Sequence, residues 1–139
     1  MAEKILGVDF GDSRTGIAVS DSLGFLASPV GTIHSTYIVE TAKKVAAAAR
    51  DHKATKIVLG LPVNMNGTEG PRAEKIREFA KLLEEELEGI GIEFFDERMS
   101  TMAAHQILNM TDTRGKKRKE VVDTLSAQII LQNYMDSHK

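Results

Sequence analysis

The order of strand-like and helix-like segments constrains the fold of this chain more than any other feature of its sequence. Three strand-like segments come first, separated only by short turns of Gly, Asp and Ser, and this spacing predicts an antiparallel meander. Helix-like segments then alternate with two further strands, which predicts parallel strands joined by helical crossovers. We therefore expect an α/β fold, a five-stranded mixed sheet with helices on both faces. The predicted strands are Lys4–Phe10, Thr15–Ser20, Leu26–His34, Lys56–Gly60 and Ile92–Asp96.

Four amphipathic segments are predicted to be helices, because their apolar residues recur at helical spacing. Capping residues and Pro or Gly mark several of their ends. The helices are expected to start at Ser35 or Thr36, near Pro71, at Ser100 or Thr101 and near Glu120, and the second and fourth to stop at Gly89 and about Asp136.

Length, composition and charge exclude several kinds of protein and of binding site. The 139 residues suit a single domain, 1–139. The sequence has no cysteine, which excludes disulfides and thiolate metal sites, and it opens with no signal-peptide pattern. No apolar run approaches the length of a membrane span. We expect a cytoplasmic protein with no membrane partner. Its net charge of −2 gives no overall basic field to attract a polyanion.

Three acids stand where an acid needs an explanation. Asp9 directly follows the apolar residues of the first strand, Glu97 follows the last strand, and Asp123 comes before an apolar helix stripe. Each has an ordinary structural explanation: a turn aspartate, a surface ion pair and a favourable helix-dipole position, respectively. However, Asp123 is the first residue of a mostly apolar stripe at helical spacing, so its side chain is expected to face the protein interior and not solvent.

The alternation of elements places these three acids at one edge of the sheet. Close carboxylates repel one another, and a bound divalent cation removes the repulsion. Oxygen ligands favour Mg²⁺ or Mn²⁺ over zinc. Asp9, Glu97 and Asp123 are therefore the candidate metal ligands and catalytic residues of a centre suited to phosphodiester hydrolysis. In this interpretation, Gly11 and Gly16 clear space beside Asp9 for a phosphate backbone.

Basic and polar residues flank the acids. The run RGKKRK leads directly into Asp123, and it is either a solvated loop or an arm that binds phosphates. The loop GLPVNMNGTEG, Gly60 to Gly70, follows the fourth strand; its Asn and Gly residues are turn formers, but it also overhangs the predicted site. The candidate nucleic-acid-binding residues are Arg14, Asn64, Arg72, Arg98, Arg114, Lys116, Lys117 and Arg118.

Four motifs resemble those of the YqgF family, also called RuvX, in their order and spacing. They cover nearly the whole chain and read GVDFGDSRTGIAV, GLPVNMNGTEG, DERMST and KKRKEVVDTLSAQIILQ. The resemblance implies a ribonuclease H-like fold, with catalytic acids at Asp9, Glu97 and Asp123. It also implies a nuclease that processes the 5′ end of pre-16S ribosomal RNA, with RNA or ribosomal particles as partners.

Other functions stay open on the sequence alone. A Holliday junction resolvase would act on branched DNA and would need a homodimer, whereas RNA cleavage is compatible with a monomer. A non-enzymatic RNA-binding assembly factor would keep its function without the acids. The first motif also resembles the phosphate loop of actin-like ATPases and sugar kinases, but those folds need a second similar domain.

Overall fold

A five-stranded mixed sheet is the centre of the fold. The computed structural model describes residues 4–21, 23–64, 66–97 and 116–137, with the backbone alone over 116–123. The strands are β1 (Ile5–Asp9), β2 (Arg14–Ser20), β3 (Ala27–His34), β4 (Lys56–Leu61) and β5 (Gly91–Asp96). Their order in the sheet is β3-β2-β1-β4-β5. β1, β2 and β3 pair antiparallel, whereas β4 is parallel to β1 and to β5. The predicted mixed sheet is confirmed, with strand ends within one residue.

Helices cover both faces of this sheet, as predicted. Those that the structure describes are α1 (Ile38–Asp51), α2 (Pro71–Glu86) and α3 (Lys116–Ser137). The apolar stripes of α1 and α2 form one buried cluster with alternate residues of the strands, including Leu6, Val8 and Leu59. α3 forms the second cluster on the opposite face, with Val58 and Phe95 of the sheet. None of the described helices is long and apolar enough to cross a membrane.

The start of α1 differs from the prediction. Its N-cap is Tyr37, not Ser35 or Thr36. The Tyr37 carbonyl accepts hydrogen bonds from both the backbone N–H and the hydroxyl of Thr41, each 2.9 Å long. The Ser35 hydroxyl lies two residues too early to cap the helix and instead accepts a hydrogen bond from the Tyr37 N–H.

The end of α2 also differs from the prediction. The helix stops at Glu86 rather than at Gly89, because Leu87 is extended and its side chain is buried in the core. Gly89 has a φ of +79°, so it forms the turn into β5 instead.

α3 begins four residues earlier than predicted. Lys116 to Lys119 are helical, so most of the RGKKRK run continues the helix instead of forming a loop. Asp123 is therefore the eighth residue of α3, in its third turn, so the interpretation of a favourable helix-dipole position in the first turn is wrong. The helix predicted to start at Ser100 or Thr101 lies outside the described residues.

Glycine lets α3 approach the sheet closely. A Cβ atom at Gly7 of β1 would lie 2.6 Å from the Leu131 Cβ and 3.0 Å from the Ala127 carbonyl oxygen. A Cβ atom at Gly60 of β4 would lie 2.5 Å from the Ile130 Cδ1. At Gly7 a side chain would meet the Cβ and backbone atoms of α3, so only glycine fits there, whereas at Gly60 an added methyl group would displace the ends of two side chains.

Candidate active site

Asp9 ends β1 on the side of the sheet that α3 covers. Side chains alternate between the two faces of a strand. Leu6 and Val8 are buried against α1 and α2, whereas Gly7 faces α3. Asp9, two residues after Gly7, is therefore on the α3 side, and its partner across the antiparallel pair is Gly16.

The Glu97 carboxylate lies on the same face, next to the position of Asp9. Glu97 follows the last residue of β5, and its Oε1 would be 2.8 Å from a Cβ atom placed on Gly60. The parallel register of β1 and β4 pairs Val8 with Leu59, and one further step places Asp9 beside Gly60. Neighbouring strands are about 4.8 Å apart. β4 separates β1 from β5, and the Glu97 carboxylate lies over Gly60 of β4, the strand next to the one that Asp9 ends.

The direction of α3 carries its N-terminal half towards these acids. Near the C-terminus of the helix, the Tyr134 hydroxyl accepts a hydrogen bond of 3.2 Å from Lys56, the first residue of β4. Ile130, one turn earlier, lies over Gly60 near the end of β4. Residues before Ile130 therefore continue towards the carboxyl ends of β1, β4 and β5.

Asp123 lies at the level of Asp9 along this helix. The hydroxyl oxygens of Thr124 and Thr32 are 2.8 Å apart. Thr32 of β3 pairs with Gly16 of β2, which in turn pairs with Asp9. Since Thr124 contacts Thr32, the backbone of the preceding residue, Asp123, lies near this row of paired residues. The side chain of Asp123 is outside the described part of the chain.

The environment of Glu97 is costly for a charged carboxyl group. Burial raises the pKa of Glu97 above its usual range; the Arg72 guanidinium opposes this shift and the neighbouring Asp96 carboxylate adds to it. Carboxylate oxygens held together in a partly desolvated place match the ligands that hard divalent cations prefer. Among the side chains that the structure describes, no three Asp, Glu or His groups are close enough to hold a metal ion; Asp123 is not among them.

The buried charge of Glu97 predicts a stability effect. Since the folded-state pKa is raised, the metal-free protein should lose stability as pH rises from the ordinary range of a Glu through that raised pKa. Glu97→Gln should therefore raise the melting temperature at neutral pH in a chelator and flatten this part of the pH profile. Thermal unfolding across pH measures both, with the exposed Glu84→Gln as the control. A lower melting temperature for Glu97→Gln than for Glu84→Gln would contradict the prediction.

Arg72 contacts the end of β1. Its Nη2 donates a hydrogen bond of 2.8 Å to the Phe10 carbonyl, one residue after Asp9. One turn later in α2, the Lys75 ammonium pairs with Asp12 at 2.7 Å. The Arg72 bond joins the end of β1 to α2, whereas the exposed Lys75–Asp12 pair adds only a weak contact between the β1–β2 turn and this helix.

Gly11 is required by the β1–β2 turn itself. A Cβ atom on Gly11 would lie 2.1 Å from the Arg14 carbonyl oxygen, so the turn itself excludes any side chain there. The turn alone therefore requires glycine at position 11, and the interpretation that Gly11 also clears space beside Asp9 stays a prediction.

The other predicted binding residues occupy different places. Arg14 is the first residue of β2, and its partner on β3 is His34. Because Arg14 is two residues before Gly16, the two residues are on the same face of the sheet, the face that α3 covers. The Asn64 side chain donates a hydrogen bond of 3.0 Å to the Thr68 hydroxyl inside the loop after β4. Lys116, Lys117 and Arg118 form the first turn of α3, where the backbone alone is described. Arg98 and Arg114 lie outside the described residues.

Three residues of this site have roles that the sequence does not reveal. The sequence predicts Gly60 as the last residue of the fourth strand and the first residue of the loop that follows, but it does not indicate that the Glu97 carboxylate lies over this glycine. Thr32 and Thr124 carry no signal in the sequence, because they are 92 residues apart and meet only in the folded chain.

A family model described as "RuvX: Holliday junction resolvase" matches residues 3–137. The chain belongs to the RuvX family. It is 43% identical to a Myxococcus xanthus protein, covering 98% of this chain and 89% of that protein. It is 45% identical to a Clostridium tetani protein, covering 96% of each. Both relatives bear the name "Putative pre-16S rRNA nuclease". The resemblance inferred from the four motifs is confirmed.

Two solved structures of other proteins share the fold of this chain. The chain superposes on Thermus thermophilus RuvC in complex with a Holliday junction substrate with a TM-score of 0.65, at 10% identity and covering 99% of this chain and 98% of that one. The fowlpox virus resolvase in complex with Holliday junction DNA gives a TM-score of 0.53, at 15% identity and covering 97% and 98%. At these identities the likeness concerns the fold alone, and it confirms the predicted ribonuclease H-like fold.

Proposed function

We propose that this RuvX-family protein is a metal-dependent nuclease that processes the 5′ end of pre-16S ribosomal RNA in the cytoplasm. The observation that carries the proposal is the placement of the Glu97 carboxylate above Gly60, beside Asp9 and at the end of the sheet towards which Asp123 extends. The names of the relatives support pre-16S ribosomal RNA as the substrate, and the placement of the acids supports metal-dependent hydrolysis as the reaction.

Asp9, Glu97 and Asp123 are the residues that would hold Mg²⁺ or Mn²⁺. The fit rests on the donor set, which is carboxylate oxygen throughout, and on the partly buried Glu97, whose pKa is raised by burial although Arg72 lies near it. When bound, the cation supplies an attacking water of lowered pKa and neutralises charge on the leaving oxygen.

The remaining groups of the site bind and orient the substrate. Arg72 and Arg14 lie on either side of the end of β1 and present positive charge near the scissile phosphate. The first turn of α3 begins seven residues before Asp123, about 10 Å along the helix axis. Its cations therefore bind phosphates away from the scissile bond, and binding should weaken steeply with added salt.

A cleavage assay tests the proposal against its main alternative. Labelled RNA carrying the precursor 16S leader and a four-way DNA junction are offered in parallel, with Mg²⁺ and with a chelator. We expect metal-dependent cleavage of the RNA at the 5′ side and no cleavage of the junction.

Two outcomes would contradict the proposal. Paired symmetric cuts in the junction with intact RNA would favour a resolvase, which the description of the family model and the fold likeness to RuvC make the second candidate. A resolvase needs two sites in a symmetric dimer, so the molecular mass in solution should then be that of a dimer. Binding of the RNA without cleavage would favour an assembly factor.

A further inference from the structure

We infer that the hydroxyl pair Thr32–Thr124 positions Asp123 for catalysis, an inference that rests on the proposed nuclease function. The two Oγ1 atoms are 2.8 Å apart, and both side chains are half-buried between β3 and α3. The pair joins the edge strand of the sheet to the helix turn that carries the candidate ligand.

The place of the pair in the fold points to a positioning role. Thr32 belongs to the row of residues that runs through Gly16 to Asp9. Thr124 is the chain neighbour of Asp123, with a Cα separation of about 3.8 Å. A movement of Thr124 relative to this row is therefore passed directly to Asp123, and it changes the separation of Asp123 from Asp9.

The Thr32–Thr124 bond adds a directional contact to the apolar packing of α3 on the sheet. Ala127 and Ile130 are buried against the sheet, but apolar contacts have little directional preference. A hydrogen bond is directional, and it weakens steeply when its angle departs from linearity. Together with the bond of 2.9 Å that Gln128 donates to the Ala27 carbonyl one turn later, the Thr32–Thr124 bond therefore restrains the rotation of this part of the helix.

The opposite end of α3 offers a matched control. Gln132 accepts a hydrogen bond of 2.9 Å from the Ala27 N–H and donates one of 2.8 Å to the Phe25 carbonyl. These bonds also join α3 to β3 and its preceding turn. However, Gln132 is nine residues from Asp123, about 13 Å along the helix. Loss of the Gln132 bonds removes contacts between the same two elements without affecting the site directly.

The test compares Thr124→Val, Thr32→Val, the double variant, Thr124→Ser and Gln132→Leu. Mn²⁺ binding is measured by electron paramagnetic resonance of the free ion, together with thermal unfolding and the kcat and KM of RNA cleavage. We expect both Val variants to weaken Mn²⁺ binding and lower kcat by about 10–100-fold, the range seen when a group supporting a metal ligand is removed. KM should stay close to the wild-type value.

The control variants separate positioning from stability. Thr124→Ser keeps the hydroxyl and should restore Mn²⁺ binding, whereas Gln132→Leu should lower the melting temperature without changing Mn²⁺ affinity. The double variant should be no worse than either single Val variant, because both remove the same bond.

The failures of the two hypotheses are distinguishable. Wild-type protein that neither binds Mn²⁺ nor cleaves RNA overturns the proposed function and this inference with it. Wild-type protein that does both, with Thr124→Val and Thr32→Val matching it, overturns the positioning role alone. Additive losses in the double variant would likewise contradict a shared bond.

Discussion

Asp9→Asn is expected to abolish RNA cleavage while leaving the fold intact. Asn has nearly the shape of Asp, so β1 can keep its pairing with β2 and β4. The substitution removes one negative charge from the candidate metal site, beside the Glu97 carboxylate over Gly60. Removing a group that merely supports a metal ligand costs about 10–100-fold, so we expect a loss of at least about 100-fold for a ligand itself.

The measurement is the initial rate of cleavage of precursor RNA in Mg²⁺, together with Mn²⁺ binding and the melting temperature. Asp12→Asn is the matched control, because Asp12 lies three residues away in an exposed pair with Lys75. Such a pair contributes about 0–1 kcal/mol, so the control should cleave at nearly the wild-type rate. Cleavage by Asp9→Asn at the rate of Asp12→Asn would exclude Asp9 as a catalytic residue.

Gly60→Ala should have the second large effect, because it affects both packing and the site. The added methyl group would lie 2.5 Å from the Ile130 Cδ1 and 2.8 Å from the Glu97 Oε1. Overpacking of this kind lowers the free energy of unfolding by about 1–3 kcal/mol. Because the carboxylate must also move away from β4, cleavage should fall together with stability.

A second substitution separates the two effects of Gly60→Ala. Ile130→Val removes the Cδ1 atom, so the double variant should regain stability in urea unfolding but not cleavage, since the Glu97 contact remains. Gly91→Ala is the control, because a Cβ atom there meets nothing within 4 Å. Recovery of cleavage together with stability would mean that Gly60 serves packing alone.

The strands were predictable because their signals are local. Alternating or continuous apolar residues bounded by turn formers define β1 to β5 within one residue. The start of α3 was not predictable in this way: the charged run before it has no apolar periodicity. Lys and Arg are nevertheless good helix formers, and a run of them can extend a helix that packing has already stabilised.

Part of the candidate site could also be predicted from the sequence. Asp9 and Glu97 were expected at one edge of the sheet, because each follows a strand and the carboxyl ends of parallel strands meet. The sequence predicts Arg72 to bind nucleic acid, but it does not predict the hydrogen bond that Arg72 donates to the Phe10 carbonyl, because the two residues are distant in the chain. Which donor reaches which carbonyl depends on how α2 sits against the end of β1.

The sequence by itself therefore determined the strands, most of the helical segments and the acids that follow them, because these depend on the local pattern of neighbouring residues. Only the tertiary structure decided that the Glu97 carboxylate lies above Gly60 and that Thr124 meets Thr32. These contacts join residues far apart in the chain, and their geometry depends on strand register and on the direction of α3. Both are set by the packing of the whole sheet.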